Sequence, residues 1–193
     1  MTTPREGPRA DPNSSRAATT AKVLTHAADL FAERGPAATS LRDVAARSGV
    51  NQGLIFRHVG NKDQLVGAVL DYLARELESA RGAGVDAAVV ETMIERQWKV
   101  LARSVLDGYD PGELQRRFPN VSTLVDRFRV CHDSEAEARL AVAHAVALGL
   151  GWRLFGPFLR AAAGLEDVPE AELRRAVDAQ TTRLLTAAAD DSQ

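Results

Sequence analysis

The chain is poor in cysteine. Cys131 is the only one, so no intrachain disulfide can form and no zinc site built on paired cysteines is available. A lone thiol suits a reducing compartment, and a cytoplasmic protein is expected. Long hydrophobic runs are also missing. The longest, Ala141–Trp152, is interrupted by His144 and stopped by Arg153, which is short for a bilayer span. The N-terminal stretch, with Pro4, Glu6, Asp11 and Asn13, carries no apolar signal core, so neither secretion nor membrane insertion is expected. Alternation of strand type over a useful length is absent, as is any internal repeat. The spacing of apolar residues is helical instead, and the fold class read from it is all-α.

What remains is an ordinary globular composition, 45% hydrophobic and 26% charged over 193 residues, long enough for a small domain joined to a larger one. The net charge of −2 points to no partner by itself. Its distribution is uneven. Residues 1–62 hold nine Lys and Arg against five acids, whereas the rest holds fifteen against twenty-one. A basic head on an acidic body suits a polyanion-binding module attached to a body that does not bind the polyanion.

Residues 1–16, with Pro4, Pro8 and Pro12, read as a flexible basic arm. A first helix follows, with Val23, Ala27, Leu30 and Phe31 on one face, stopped by Gly35-Pro36. Ser40 is placed to cap a short second helix, with Asp43 three residues on in the spacing of a capping box; Leu41, Val44 and Ala45 would face inward. Gly49 ends it. A third helix covers 51–58, with Leu54 and Ile55 inward and Gln52, Gly53 and Arg57 outward. Asn61 caps a fourth, which carries Leu65, Val69, Leu70, Leu73 and Leu77.

The rest is also helical. A helix over 86–106 has two apolar stripes, which implies burial on two sides. Short pieces are expected near 113–118 and 121–130. A long helix runs from about Ser134 to Phe155 and ends at Gly156-Pro157, with a separate short one over 158–163. The last covers 170–188.

The second and third helices are separated by Ser48-Gly49-Val50, which fits a helix-turn-helix over about 40–59: a small residue for the tight turn and an apolar one to pin the pair. In such a unit the second helix enters the major groove of DNA. Gly53 costs about 1 kcal/mol inside a helix, which makes sense where the backbone must approach something closely. Here a resemblance becomes specific. The run Leu30-Phe31-Ala32-Glu33-Arg34-Gly35, then Thr39-Ser40-Leu41-Arg42-Asp43-Val44-Ala45, Ser48-Gly49-Val50, Gly53-Leu54-Ile55-Phe56-Arg57-His58 and Asn61-Lys62-Asp63-Gln64-Leu65 resembles the DNA-binding domain of the TetR family of transcriptional regulators. The match is collinear over about 17–77, which leaves 78–193 as a helical effector-binding and dimerisation domain.

The resemblance implies phosphate contacts at the start of the second helix, at Thr39, Ser40 and Arg42, and at Lys62 at the start of the fourth. It implies base reading by the helix that holds Asn51, Gln52, Gly53, Phe56, Arg57 and His58. Free N–H groups at helix starts favour phosphate, and Asn51, Gln52 and Arg57 carry groups suited to base edges. Phe56 and His58 stand where the family often has tyrosine, and Val59 where phenylalanine is usual. Phe56 therefore offers packing or a thymine-methyl contact but no hydroxyl.

Elsewhere, Cys131-His132-Asp133 lacks the spacing of a metal site, and no nucleophile–base pair stands out, so no metal, cofactor or catalytic residue is expected. His144 reads first as a core histidine and second as a ligand contact or pH sensor. Trp98, Phe118, Phe128 and Trp152 serve equally as core or, with His144, as the lining of an apolar effector pocket. Ala141, Ala145 and Gly149 form a row of small residues suited to close helix crossing. That row and the stripe of Leu173, Val177 and Leu184 are the candidate homodimer interface. The functional expectation is a repressor released from a palindromic DNA operator by a small molecule. A regulator without an effector stays open, and a helical enzyme is the remote alternative.

Overall fold

The computed structural model describes residues 12–186; the expected arm lies outside them up to residue 11. The described residues form nine α-helices and one 3-10 turn, with no strand. In order these are α1 (Pro12–Arg34), α2 (Leu41–Ser48), α3 (Gln52–His58), α4 (Lys62–Gly82), α5 (Ala87–Leu106), α6 (Pro111–Leu114), α7 (Pro119–Phe128), the turn Arg129–Cys131, α8 (Glu135–Ala162) and α9 (Glu170–Thr186). The chain divides into two compact units, the first ending at Arg117 and the second starting at Phe118.

In the first unit, α1, α4 and α5 pack on one another, with α2 and α3 against α1. The apolar positions expected from helical spacing build this core. Val23, Ala27, Leu30 and Phe31 of α1 meet Val44, Ile55 and the Leu65, Val69, Leu70, Leu73 row of α4, and Val100 of α5 joins them. The unit reaches well past residue 77 because two later segments fasten to it. The α5 guanidinium of Arg96 donates to the Thr25 carbonyl at 2.8 Å and pairs with Asp29 at 2.7 Å. An Asp71 carboxylate oxygen on α4 accepts the backbone N–H groups of Arg116 and Arg117 at 3.1 and 3.2 Å. In the second unit, Val142 and Ala145 of α8 and Leu185 of α9 are buried, with Leu124, Val125 and Phe128 of α7 packed against them.

Several details depart from the sequence pattern. Helix α1 begins at Pro12 rather than near Arg16, because a proline is well placed in a first helical turn, where its missing N–H costs nothing. Helix α8 does not stop at Gly156-Pro157 but runs through Pro157 to Ala162 as one element. Proline removes one ladder hydrogen bond, and the residue before it, Gly156, has no Cβ to crowd the ring. The longer helix meets the length and composition needed to cross a bilayer, yet Ala138, Val142 and Ala145 lie buried along one side of it. The piece expected near 113–118 is instead α6, capped by Asp110 and ended at an extended Gln115. On α5 only Val100 of the two stripes is fully buried, while Val89 and Val105 are about half exposed. His144 is exposed on α8, so the core-histidine reading is wrong: Ala145, its neighbour, is the residue that faces in.

Candidate nucleic-acid interface

The entry to the helix-turn-helix is set by capping. Ser40 is extended, its hydroxyl accepts from the Asp43 N–H at 3.1 Å, and the Asp43 carboxylate accepts the Ser40 N–H at 2.8 Å. That reciprocal pair satisfies two of the free donors at the start of α2. It also holds the Asp43 carboxyl below its ordinary 3.8, chiefly through the Ser40 backbone bond. Thr39 is buried, its hydroxyl donating to the Gly35 carbonyl at 2.8 Å. At the turn, Gly49 adopts φ 66° and ψ 20°, the left-handed region that glycine enters without strain. Val50 packs against the core beyond it.

Helix α3 is capped by the Asn51 side-chain oxygen, which accepts the Gly53 N–H at 2.8 Å. Ile55 alone is fully buried, and it anchors the helix. Leu54, expected inward, is 41% exposed. Adjacent residues on a helix lie about 100° apart, and with Ile55 aimed at the core, Leu54 turns out of it. The open face of α3 therefore holds Asn51, Gln52, Gly53, Leu54, Phe56 and Arg57, with Phe56 60% exposed. A Cβ built on Gly53 would meet nothing within 4 Å except the Asn51 cap oxygen.

The structure sorts the basic residues of the head. Arg47 is engaged by both Glu33 oxygens at 2.7 and 2.6 Å, and Arg34 pairs with Asp43 at 3.2 Å. The Arg47 hydrogen bond holds the Glu33 carboxyl below its ordinary 4.5. Arg42 on α2 and Arg57 on α3 are exposed, and neither has an ion-pair partner among the described residues. Lys62 opens α4 half-buried, and its ammonium donates to the Thr39 carbonyl. Burial pushes its pKa down, against the pull of Asp107, Asp43 and Asp63. His58 is half-buried, and its Nδ1 has no hydrogen-bond partner among the described residues. It borders an open groove of about 410 Å³ lined also by Arg16, Thr20, Tyr72 and Arg75.

Thus α2, α3 and the start of α4 bring together Ser40, Arg42, Asn51, Gln52, Gly53, Phe56, Arg57 and Lys62 on one unit, whereas the Thr39 side chain turns inward. The arrangement suits a polyanion: Arg42 on α2 and Arg57 on α3, without ion-pair partners among the described residues, accompany the outward amide and apolar side chains of α3.

The other candidates are spread along the chain. Trp98 is half-buried in the first unit; in the second, Phe128 and Trp152 are half-buried and Phe118 and His144 exposed. Neither that groove nor a second one of about 310 Å³, lined by Asp29, Glu33, Glu95, Arg96 and Lys99, includes any of these five. Of the small-residue row, Ala145 is buried within its own chain, Ala141 and Gly149 are half-buried, and a Cβ at Gly149 would meet nothing. Leu173, Val177 and Leu184 are half-buried on α9. No group of three or more His, Cys, Asp or Glu that could hold a metal ion occurs among the described residues.

Comparison with known proteins agrees with this geometry. Residues 23–69 match the family described as bacterial regulatory proteins, tetR family. The chain is 52% identical to the HTH-type transcriptional repressor Rv3405c of Mycobacterium tuberculosis over 96% of its own length and 98% of that protein. The same figures hold for the HTH-type transcriptional regulator Mb3439c of Mycobacterium bovis. The HTH-type transcriptional repressor KstR2 of Rhodococcus jostii is 30% identical over half of each chain.

Proposed function

We propose, from the premise that this chain belongs to the tetR family of regulators, that it represses transcription as a homodimer seated on a pseudo-palindromic operator. That it is a DNA-binding transcriptional regulator follows from the family and its relatives. The placement of its DNA-binding face rests chiefly on one observation: Arg42 and Arg57 stand exposed, without ion-pair partners among the described residues, on the two helices of the helix-turn-helix, while Arg34 and Arg47 are neutralised. In this reading α3 lies in the major groove, Gln52 and the Asn51 amide meet base edges, and Gly53 lets the helix backbone come close. Arg42 and Lys62 hold phosphates. Lys62 exchanges the Thr39 carbonyl for phosphate oxygen, and the helix starts of α2 and α4 add their dipoles.

The head is the functional module over about 17–77, and residues 78–193 carry dimerisation and effector response. The effector would be an apolar small molecule, held in the second unit by residues drawn from Phe118, Phe128, His144 and Trp152. Its binding would trade against operator affinity through one coupling energy. A regulator without an effector is the second reading, favoured by the charged lining of the 310 Å³ groove and by the absence of all five candidate residues from both grooves. On either reading the protein works in the cytoplasm, where operator DNA is. An electrophoretic shift on the DNA upstream of its own gene tests the operator assignment, with retardation at nanomolar protein expected. A thermal-shift screen of apolar compounds separates the two readings: a ligand that raises the melting temperature and releases the DNA supports the first.

A further inference from the structure

Of the six residues that lead from α1 into α2, the first five are fastened almost group by group. The Gly35 N–H donates to the Phe31 carbonyl at 3.0 Å, Pro36 is fully buried, and the Thr39 N–H donates to the Pro36 carbonyl at 3.1 Å. The Thr39 hydroxyl returns to the Gly35 carbonyl, and the Thr39 carbonyl accepts from Lys62. One fastening comes from far along the chain. The Ala37 N–H donates to a carboxylate oxygen of Asp107 at 2.7 Å, across 70 residues of sequence. Asp107 caps the C-terminal end of α5, its own N–H bonded to the Arg103 carbonyl at 2.9 Å, so its backbone is held by a different helix from the turn it grips.

Gly35 is shaped to admit this carboxylate. It sits at φ 83°, where a side chain is strained. A Cβ there would lie 2.6 Å from the same Asp107 oxygen. The carboxylate thus fills the space that any other residue at 35 would occupy. Three residues past Ala37 stands Ser40, the cap of α2, and α2 carries Arg42. Asp107 also faces Lys62 closely enough to favour its charged form. Residue 107 lies outside the stretch that matches the family.

We propose that Asp107 is a positioning residue for DNA binding: from the end of α5 it fixes the turn 35–39, and thereby the placement of α2 and of the Lys62 ammonium, without touching DNA itself. The proposal rests on the reading of α2–α3 as the DNA-binding face. A bound state needs the turn in one geometry; without the carboxylate the free protein samples others, and affinity falls by the fraction lost.

The test measures operator affinity and its salt dependence for the full-length protein and for Asp107→Ala and Asp107→Asn, with the folded fraction of each read by circular dichroism. The wild type must first show tight, salt-dependent binding that Lys62→Ala weakens; if it does not, the DNA-binding reading fails rather than the role of Asp107. Given that, folded Asp107→Ala should bind about tenfold more weakly, the loss expected for one charged hydrogen bond, with no flattening of the salt slope because no phosphate contact is lost. Asp107→Asn, whose amide oxygen still accepts, should return most of the affinity. A role in stability alone would lower the melting temperature and leave the affinity of the folded protein unchanged. Folded Asp107→Ala that binds as the wild type does, or an Asn variant no better than Ala, would overturn the proposal. Amide hydrogen exchange gives an answer that needs no variant: the exposed Ala37 N–H should be protected in the wild type, and exchange at the free-peptide rate would refute the assignment.

Discussion

At the scale of single residues, the basic groups of the head are not equivalent. Nine Lys and Arg precede Asp63 in the sequence, and composition gives each the same weight. The structure does not, because Arg47 and Arg34 are held by Glu33 and Asp43 while Arg42 and Arg57 have no ion-pair partner among the described residues. Arg42→Ala and Lys62→Ala should each weaken binding on every DNA sequence and reduce the slope of log affinity against log salt by about one, the signature of a lost phosphate contact. Arg47→Ala should leave that slope in place. Fluorescence anisotropy between low and moderate salt reads both. On the proposed reading the exposed apolar pair Leu54 and Phe56 would serve base reading instead, since the feature of a base edge that an apolar side chain recognises is the thymine methyl. Replacing operator thymines by deoxyuridine, which lacks only that methyl, should weaken wild-type binding at specific positions and leave Phe56→Ala nearly indifferent there. Uniform indifference in the wild type would remove Phe56 from base recognition. Leu54 reads as inward from the sequence because apolarity alone does not tell a core position from an exposed one; only the angle to the buried Ile55 does.

Among the elements, the short helices depend on their ends. Ser40→Ala should cost about 1 kcal/mol of head stability, and Ile55→Ala about 2–5 kcal/mol by leaving a cavity under α3; urea unfolding measures both. The carboxyls of Glu33 and Asp43 lie below their ordinary values of 4.5 and 3.8. A carboxyl lowered by folding contributes stability fully above its unfolded value and loses it as pH falls through the folded one. The head should therefore hold its stability at neutral pH and weaken below about pH 4, more shallowly in a Ser40→Ala, Arg47→Ala double variant, and only modestly because both groups are exposed. Caps were the most legible elements in the sequence: Ser40 with Asp43 and Asn61 with Gln64 both form the reciprocal bonds their spacing implies. Breaks were less legible. Gly156-Pro157 reads as a stop by local rules, yet one lost ladder bond was outweighed by continuing α8. Asp107 left no local trace at all, since its partner is 70 residues away.

For the whole molecule, the proposed homodimer would hold two heads to one stretch of DNA. Leu184 and Ala145 pack within the core of their own chain, so substitutions there test folding as much as pairing. Gly149 is more discriminating, because among the described residues nothing outside its own stretch of helix lies within 4 Å of a Cβ built there. Gly149→Leu should leave the folded chain intact and, by overpacking a close crossing with a second copy, drive it to monomer in analytical ultracentrifugation. A Gly149→Leu protein that stays dimeric would move the interface elsewhere. Each head alone reaches only a half-site, so the monomer should also lose most operator affinity. The most direct measurement is footprinting of the wild-type protein on the DNA upstream of its gene. Two inverted half-sites, protected on one face of the duplex about one helical turn or a multiple apart and lost together in Gly149→Leu, are the expected result. A single asymmetric half-site protected by a monomer would contradict the paired-head repressor.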